Sequence, residues 1–352
     1  MSTVHDALVT LASRLADASD PLGARAREDL AVDGPLSAPM ADRVLRVTAR
    51  RYTPEALAAV ADGSLGGRAV YVVLAASVAT APLRAIALPL LRGADSVRVK
   101  PSRRQPGFVA TLRTQPPFLE VTATEGFEPR PGEHVIAYGT DQTLRSIRDA
   151  LPEGATFEGH GHGFGVALVA GGTAPEAIAR DLARDVADHD QRGCLSPQAV
   201  YVVGGVAEAV SLARALHTAL ACELPRGPME PAEAARGMQW QGVMAVQSVA
   251  MFRGEQHAVA AMGTARRVSS PGGRCIAVVP VRDLAHGAQL LQPDAEYLTC
   301  VGVAGVAPGD VPLPTGALPR VVPVGTMQDP ALDGPEDPRP PWTLSAAGPR
   351  AR

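Results

Sequence analysis

Apolar residues recur at two different periods along this chain, and the alternation between them predicts its architecture. Residues 1–66 carry apolar positions at helical spacing, with breaks at Pro21, Gly34-Pro35 and Gly63, and predict a set of helices. From residue 70 the pattern changes. Short apolar runs at 70–75, 96–100 and 134–138 predict strands, and 119–122 is strand-like. Helical periodicity lies between them at 82–91, 106–112 and 142–150. A glycine-rich passage, Gly159-His160-Gly161-His162-Gly163-Phe164-Gly165, leads into a strand at 166–170. Further helices are predicted at 175–187, 206–222 and 231–249, and further strands at 199–203, 275–279 and 297–303. Strands alternating with helices of this length predict an α/β fold, with parallel sheets and helices on their faces. The expected domains are 1–160, 161–325 and a C-terminal arm or tail at 326–352, where Pro, Gly and charge are frequent.

Composition narrows the function classes. Apolar residues make up 46% of 352, enough for a large core. The net charge of −3 is spread over interspersed signs and aromatics are 4%, which argues against a nucleic-acid surface. The apolar stretch at 70–91 is interrupted by Pro82, Arg84 and Pro89, so a strand and a helix are expected there and no membrane span. Cys194, Cys222, Cys275 and Cys300 are far apart and form no CxxC pair, so neither a metal site nor a disulfide framework is expected. The first residues lack the regions of a signal peptide, and a reducing cytoplasm is the expected compartment. Lys100 is the one lysine among 33 basic residues, and the chain has no asparagine.

The chemistry concentrates near Asp188-His189-Asp190-Gln191-Arg192-Gly193-Cys194-Leu195-Ser196-Pro197. Cys194 falls on a glycine-flanked turn between a predicted helix and a predicted strand, where backbone amides can converge on a reacting atom. The turn alone favours an inert thiol over a nucleophile, since most cysteines are buried and unreactive. Asp185, Asp188 and Asp190 crowd its approach; carboxylates there would oppose thiolate formation, so capping, hydrogen bonding or solvation is expected of them. Lys100 ends a strand, where ligands bind in doubly wound sheets, and is either a contact to ribose or phosphate or an ordinary surface lysine. Gly139-Thr140-Asp141 opens a helix after a strand, a geometry that can receive a phosphate and that also occurs in many strand–helix connections. His160 and His162 either flank a site or occupy a loop. Their glycine spacing does not match a dinucleotide fingerprint.

Together these segments resemble the aldehyde dehydrogenase superfamily, and within it the acyl-CoA reductase family of bacterial luminescence. The resemblance runs from about residue 68 to 330. It rests on residues 90–102 (Leu90-Leu91-Arg92-Gly93-Ala94-Asp95-Ser96-Val97-Arg98-Val99-Lys100-Pro101-Ser102), the glycine-rich passage into Val166, residues 190–197 around Cys194, and Gly325-Thr326-Met327-Gln328. It implies a Rossmann-like cofactor lobe, an α/β catalytic lobe and homo-oligomerisation. It also implies NADPH as cofactor, with NADH as the alternative. Cys194 would be the nucleophile; Lys100 and Ser102 would hold the adenosine ribose or its phosphate, and Gly139 and Thr140 would lie near the pyrophosphate. The expected reaction is reduction of an acyl-CoA or other acyl thioester to an aldehyde through a thioacyl-cysteine, with an acyl-transferring protein as a further expected partner. Ser77 occupies the place where the superfamily supplies an oxyanion-binding asparagine. Glu158 is close to the place of the superfamily's hydrolytic base, out of register with the glycine-rich segment. The alternatives are an acyl-phosphate reductase of the glutamyl phosphate reductase type and a catalytically weakened binding or assembly subunit of the same fold.

Overall fold

The computed structural model describes residues 2–32, 34–103, 106–334 and 338–344. Two compact units divide the chain between His162 and Gly163. Of the described residues, the first holds those up to 162, 331–334 and 340–344, and the second holds 163–330 and 338–339.

In the first unit, helices α1 (Ser2–Ala16), α2 (Pro21–Val32), α3 (Ala38–Ala49) and α4 (Pro54–Val60) precede the sheet. Buried Leu8, Leu11, Ala12 and Leu15 recur at i, i+3, i+4 and i+7 and give α1 its inner face. The Ser37 and Thr53 side chains accept from the amides of Met40 and Ala56, so α3 and α4 start with satisfied N-caps. Then come β1 (Ala69–Val73), α5 (Ala81–Leu91), β2 (Ser96–Lys100), α6 (Pro106–Leu112), β3 (Thr122–Ala123), β4 (His134–Tyr138), α7 (Asp141–Asp149) and β5 (Thr156–His160). The sheet order is β5-β4-β1-β2-β3, all parallel, with the segment Trp342–Leu344 added antiparallel beside β5. The buried aspartate of α2, Asp29, accepts from the Thr111 hydroxyl of α6 at 2.6 Å, which ties the leading helices to the sheet's own.

The second unit holds β6 (Phe164–Val169), α8 (Pro175–Ala187), β7 (Pro197–Val203), α9 (Val206–Ala221), α10 (Pro231–Gln247), β8 (Ser248–Arg253), β9 (Ala258–Met262), β10 (Cys275–Val281), α11 (Leu284–Leu291), β11 (Leu298–Ala304) and β12 (Arg320–Pro323). Its sheet order is β12-β11-β6-β7-β10-β9-β8, parallel throughout except for the β8–β9 hairpin. All residues of β9, β10 and β11 are buried, which is why they read as continuous apolar runs without alternation.

Several expectations are corrected. The strand expected at 119–122 is reduced to Thr122–Ala123, because residues 119–121 turn after Pro116-Pro117. The glycine-rich passage is not one loop: Gly159 and His160 complete β5 and Phe164 begins β6, leaving 161–163 as the connection. The helix expected to reach 249 ends at Gln247, where the chain enters the β8–β9 hairpin, whose strands the helical spacing concealed. At the chain's end, Met327 is fully buried and Gln328 is 9% exposed in the second unit, so the expected arm or tail does not begin at 326. Its residues 335–337 and 345–352 lie outside the described residues. No helix among the described residues is long and apolar enough to cross a membrane.

Candidate active site

Cys194 follows α8 by six residues and precedes β7 by two, on the turn its neighbours predict. The Ser196 amide donates to the Gly193 carbonyl at 3.1 Å, so Cys194 and Leu195 form the corner of a tight turn. Gln191 donates its amide to the Pro197 carbonyl at 2.7 Å and closes a loop around the cysteine. The Thr299 hydroxyl lies between two carbonyl oxygens, 2.5 Å from that of Cys194 and 2.9 Å from that of Phe164. Cys194 is partly exposed and packs against buried Leu195, Cys300 and Met327. Cys275 and Cys300 are buried, and burial pushes their thiols up to about 11 and about 12, so neither is a nucleophile near neutrality.

The backbone entering this turn is strained. His189, Asp190 and Gln191 have φ of 55°, 53° and 61°, three consecutive left-handed residues without a glycine among them. Each costs roughly 1–2 kcal/mol relative to right-handed backbone, so surrounding contacts must hold the run in place. Asp190, fully buried, supplies them. Its Oδ1 accepts from Arg274 Nε at 2.9 Å and Nη2 at 2.6 Å. Its Oδ2 accepts from Arg192 Nη1 at 3.2 Å and the Gly227 amide at 3.0 Å. Arg192 is in turn held by Glu233 and by the Pro228 carbonyl.

A second anchor lies at the end of α8. The Asp185 carboxylate accepts from the amides of Gly325 at 2.5 Å and Met327 at 3.0 Å. Burial pushes its pKa up to about 8 against the pull of those two amides, and Asp188 and Asp181 add to the rise. Gln328 donates to the Asp185 carbonyl at 3.3 Å and to the Ser196 hydroxyl at 2.7 Å, bridging the residues before and after Cys194. Asp185 and Asp190 therefore hydrogen-bond internally, and Met327-Gln328, which shows no chemistry in sequence, supports the turn. Arg274 and Thr299 were not legible as site residues, and Gln328 was marked only as part of the segment 325–328; the Gly272-Gly273-Arg274 corner marks special backbone without naming its partner.

The other expected site residues lie in the first unit, at the carboxyl ends of its strands. Ser77 is exposed after β1; Lys100, half-buried, ends β2, and Ser102 is buried just beyond it. Gly139 and Thr140 follow β4, and the Thr140 hydroxyl accepts from the Thr143 amide at 3.2 Å as the N-cap of α7. Strand β1 sits between β2 and β4, so the connections diverge between β1 and β4, the topological switch point where open sheets bind ligands. The donor set there fits a nicotinamide dinucleotide: an ammonium for ribose or phosphate oxygens, and helix-start amides for the pyrophosphate.

Glu158 is engaged within the same sheet. Its carboxylate is 3.1 Å from His160 Nε2 and 3.5 Å from His134 Nε2, and both imidazoles, His134 foremost, hold it well below the usual carboxylate range. His160 stacks on Tyr138 at 4.8 Å and is a strand residue, not part of a loop. Among the described residues no group of three His, Cys, Asp or Glu is arranged to hold a metal ion.

The fold is aldehyde-dehydrogenase-like, and Cys194 lies on the turn into β7. Solved structures share the fold at low identity. Proline utilization A with proline bound in remote sites matches at 19% identity and TM-score 0.65, over 86% of this chain and 36% of that one. The NADP-dependent glyceraldehyde-3-phosphate dehydrogenase of Bacillus halodurans C-125, complexed with NADP, matches at 13% and 0.63, over 90% of this chain and 77% of that one. An NAD-dependent benzaldehyde dehydrogenase of Corynebacterium glutamicum matches at 14% and 0.63, over 91% and 81%. The chain thus spans about a third of the proline utilization A chain it matches. No curated protein matches the sequence. The model of the acyl-CoA reductase (LuxC) family matches residues 132–336, more than half of the chain, and the chain belongs to that family.

Proposed function

We propose that this protein reduces an acyl-CoA, with a fatty acyl group, to the aldehyde, using NADPH and a thioacyl intermediate on Cys194. The observation that carries the reading is Cys194 on a doubly anchored turn inside the family-matched segment.

The Cys194 thiolate attacks the thioester carbonyl carbon; the new C–S bond forms, the bond to CoA breaks, and CoA leaves as a thiolate that takes up a proton. The Cys194 amide, at a turn corner, would stabilise the oxyanion of that step, and Ser77 is proposed as a second donor by its place in the superfamily pattern. Lys100, Ser102, Gly139 and Thr140 would hold the dinucleotide, which when bound supplies a hydride to the thioacyl carbon. The resulting thiohemiacetal oxyanion re-forms its carbonyl, expelling the Cys194 thiolate and releasing aldehyde. Oxidation would require a base for hydrolytic water. Glu158 is tied to two histidines, which favours reduction over hydrolysis. A homo-oligomeric state, a cytoplasmic location and an acyl-delivering protein partner belong to the same proposal.

Incubation with an acyl-CoA in the absence of cofactor, followed by mass spectrometry, tests it. The expected result is an acyl adduct on Cys194, absent from Cys194→Ser. Lack of an adduct would sink the reading in favour of a binding subunit, and NADPH consumption with acyl phosphate alone would favour the acyl-phosphate reductase.

A further inference from the structure

Two left-handed stretches face each other behind the nucleophile. One is His189-Asp190-Gln191; the other is Gly272-Gly273-Arg274, with φ of 80°, 65° and 65°. They are joined twice, by the Asp190–Arg274 ion pair and by the Gly273 amide donating to the Asp190 carbonyl at 3.1 Å. Arg274 is 1% exposed and also donates to the Leu224 carbonyl at 2.7 Å.

We infer that the buried Asp190–Arg274 pair is the positioning device of the nucleophile, fixing the left-handed run so that Cys194 meets an acyl carbon with its thiolate and its amide correctly aimed. The inference rests on reading Cys194 as an acyl acceptor. A turn needed only for its shape would use glycine, as positions 272 and 273 do. Positions 189–191 carry side chains, and two of them are spent on the turn: Asp190 on four donors, Gln191 on the Pro197 carbonyl. A buried ion pair is also a poor device for stability alone, because apolar residues of similar volume hold a fold as well without desolvating charges. Its directional contacts fix orientation, and orientation is what an acyl transfer needs. Asp190 and Arg274 do not touch the reacting atoms; they act through the backbone of 189–193.

The test uses p-nitrophenyl acetate, a generic acyl donor, with the full chain. Its acyl carbon bonds to Cys194 Sγ, its ester C–O bond breaks, and nitrophenolate appears as a burst. Asp190→Asn removes the charge, and a double variant, Asp190→Leu with Arg274→Met, removes the pair while leaving no unpaired buried charge, so folding is retained should Asp190→Asn not fold. The burst rate is expected to fall at least tenfold, while alkylation of Cys194 by iodoacetamide stays within threefold of wild type. A folded variant whose burst is within threefold of wild type overturns the inference, and so does an equal fall in alkylation, since the thiol would then be hidden and not mis-aimed. A charge effect alone gives the opposite sign: Asp190→Asn leaves the Arg274 guanidinium without its carboxylate, while Arg192 keeps Glu233, and the bared cation would speed thiolate chemistry. A wild-type burst without acylation by acyl-CoA defeats the proposed substrate and leaves this inference standing; no wild-type burst defeats both.

Discussion

Gly165 offers the sharpest test of how closely the Cys194 turn is fitted to the sheet beneath it. A Cβ at Gly165 would lie 2.5 Å from the Leu195 carbonyl oxygen, 3.0 Å from its carbon and 3.0 Å from Met327 Cε. Ordinary contact begins at 3.4 Å, so Gly165→Ala must displace the Leu195 peptide by roughly 1 Å, the scale at which misplacement costs about 10²-fold in rate. Overpacking of this kind costs about 1–3 kcal/mol of stability. Gly302→Ala is the control. Its Cβ meets Met327 Sδ at 2.5 Å and Cγ at 3.0 Å, atoms of a flexible side chain that can change rotamer. The assay is the pre-steady-state rate of acyl adduct formation, read beside the melting temperature. Gly165→Ala is expected to lose about a hundredfold in acylation, and Gly302→Ala less than tenfold at a comparable loss of stability. Acylation of Gly165→Ala within threefold of wild type would refute the claim that the turn is held against β6 by that contact.

Ser77→Asn is expected to raise the acylation rate, since the longer side chain would bring an amide donor to the place of the superfamily's asparagine; a neutral or slower variant would show that Ser77 does not serve the oxyanion. Lys100→Met should weaken NADPH binding at least tenfold by fluorescence titration, with the cofactor-free acylation of Cys194 unchanged; unchanged NADPH affinity would remove Lys100 from the cofactor site. His257 accepts a further test by pH. Burial, with His217 2.9 Å away, pushes its pKa down to about 4, so the unfolded chain binds the extra proton first. Its contribution is therefore present above about pH 6.5 and is lost as pH falls through that value towards 4. His257→Gln should flatten the fall in melting temperature over that window, and an unchanged slope would count against it.

The sequence revealed those elements whose formation is locally encoded. Helices α5, α6 and α8 and strands β2 and β4 have unmistakable periods and breakers, and their edges fall within a residue of expectation. The β8–β9 hairpin escaped because Ser248–Arg253 continues the apolar spacing of α10, and only pairing with Ala258–Met262 decides its state. For the candidate site, the flanking residues single out Cys194 as the proposed nucleophile, and rarity singles out Lys100 as the proposed cofactor contact. Arg274, 84 positions from Asp190, was not legible, because nothing local to an arginine says which carboxylate it will be buried against.

The edge strand Trp342–Leu344 bears on how the molecule is made. It pairs with β5, yet it leaves the ribosome after the entire second unit. During synthesis the first sheet therefore waits with β5 as an open margin, its outward amides and carbonyls available to a neighbouring nascent chain. Closing that margin must overcome the entropy of a loop as long as a whole unit. Slow, concentration-sensitive refolding, relieved by supplying the closing segment as a separate peptide, is the behaviour this order of assembly implies.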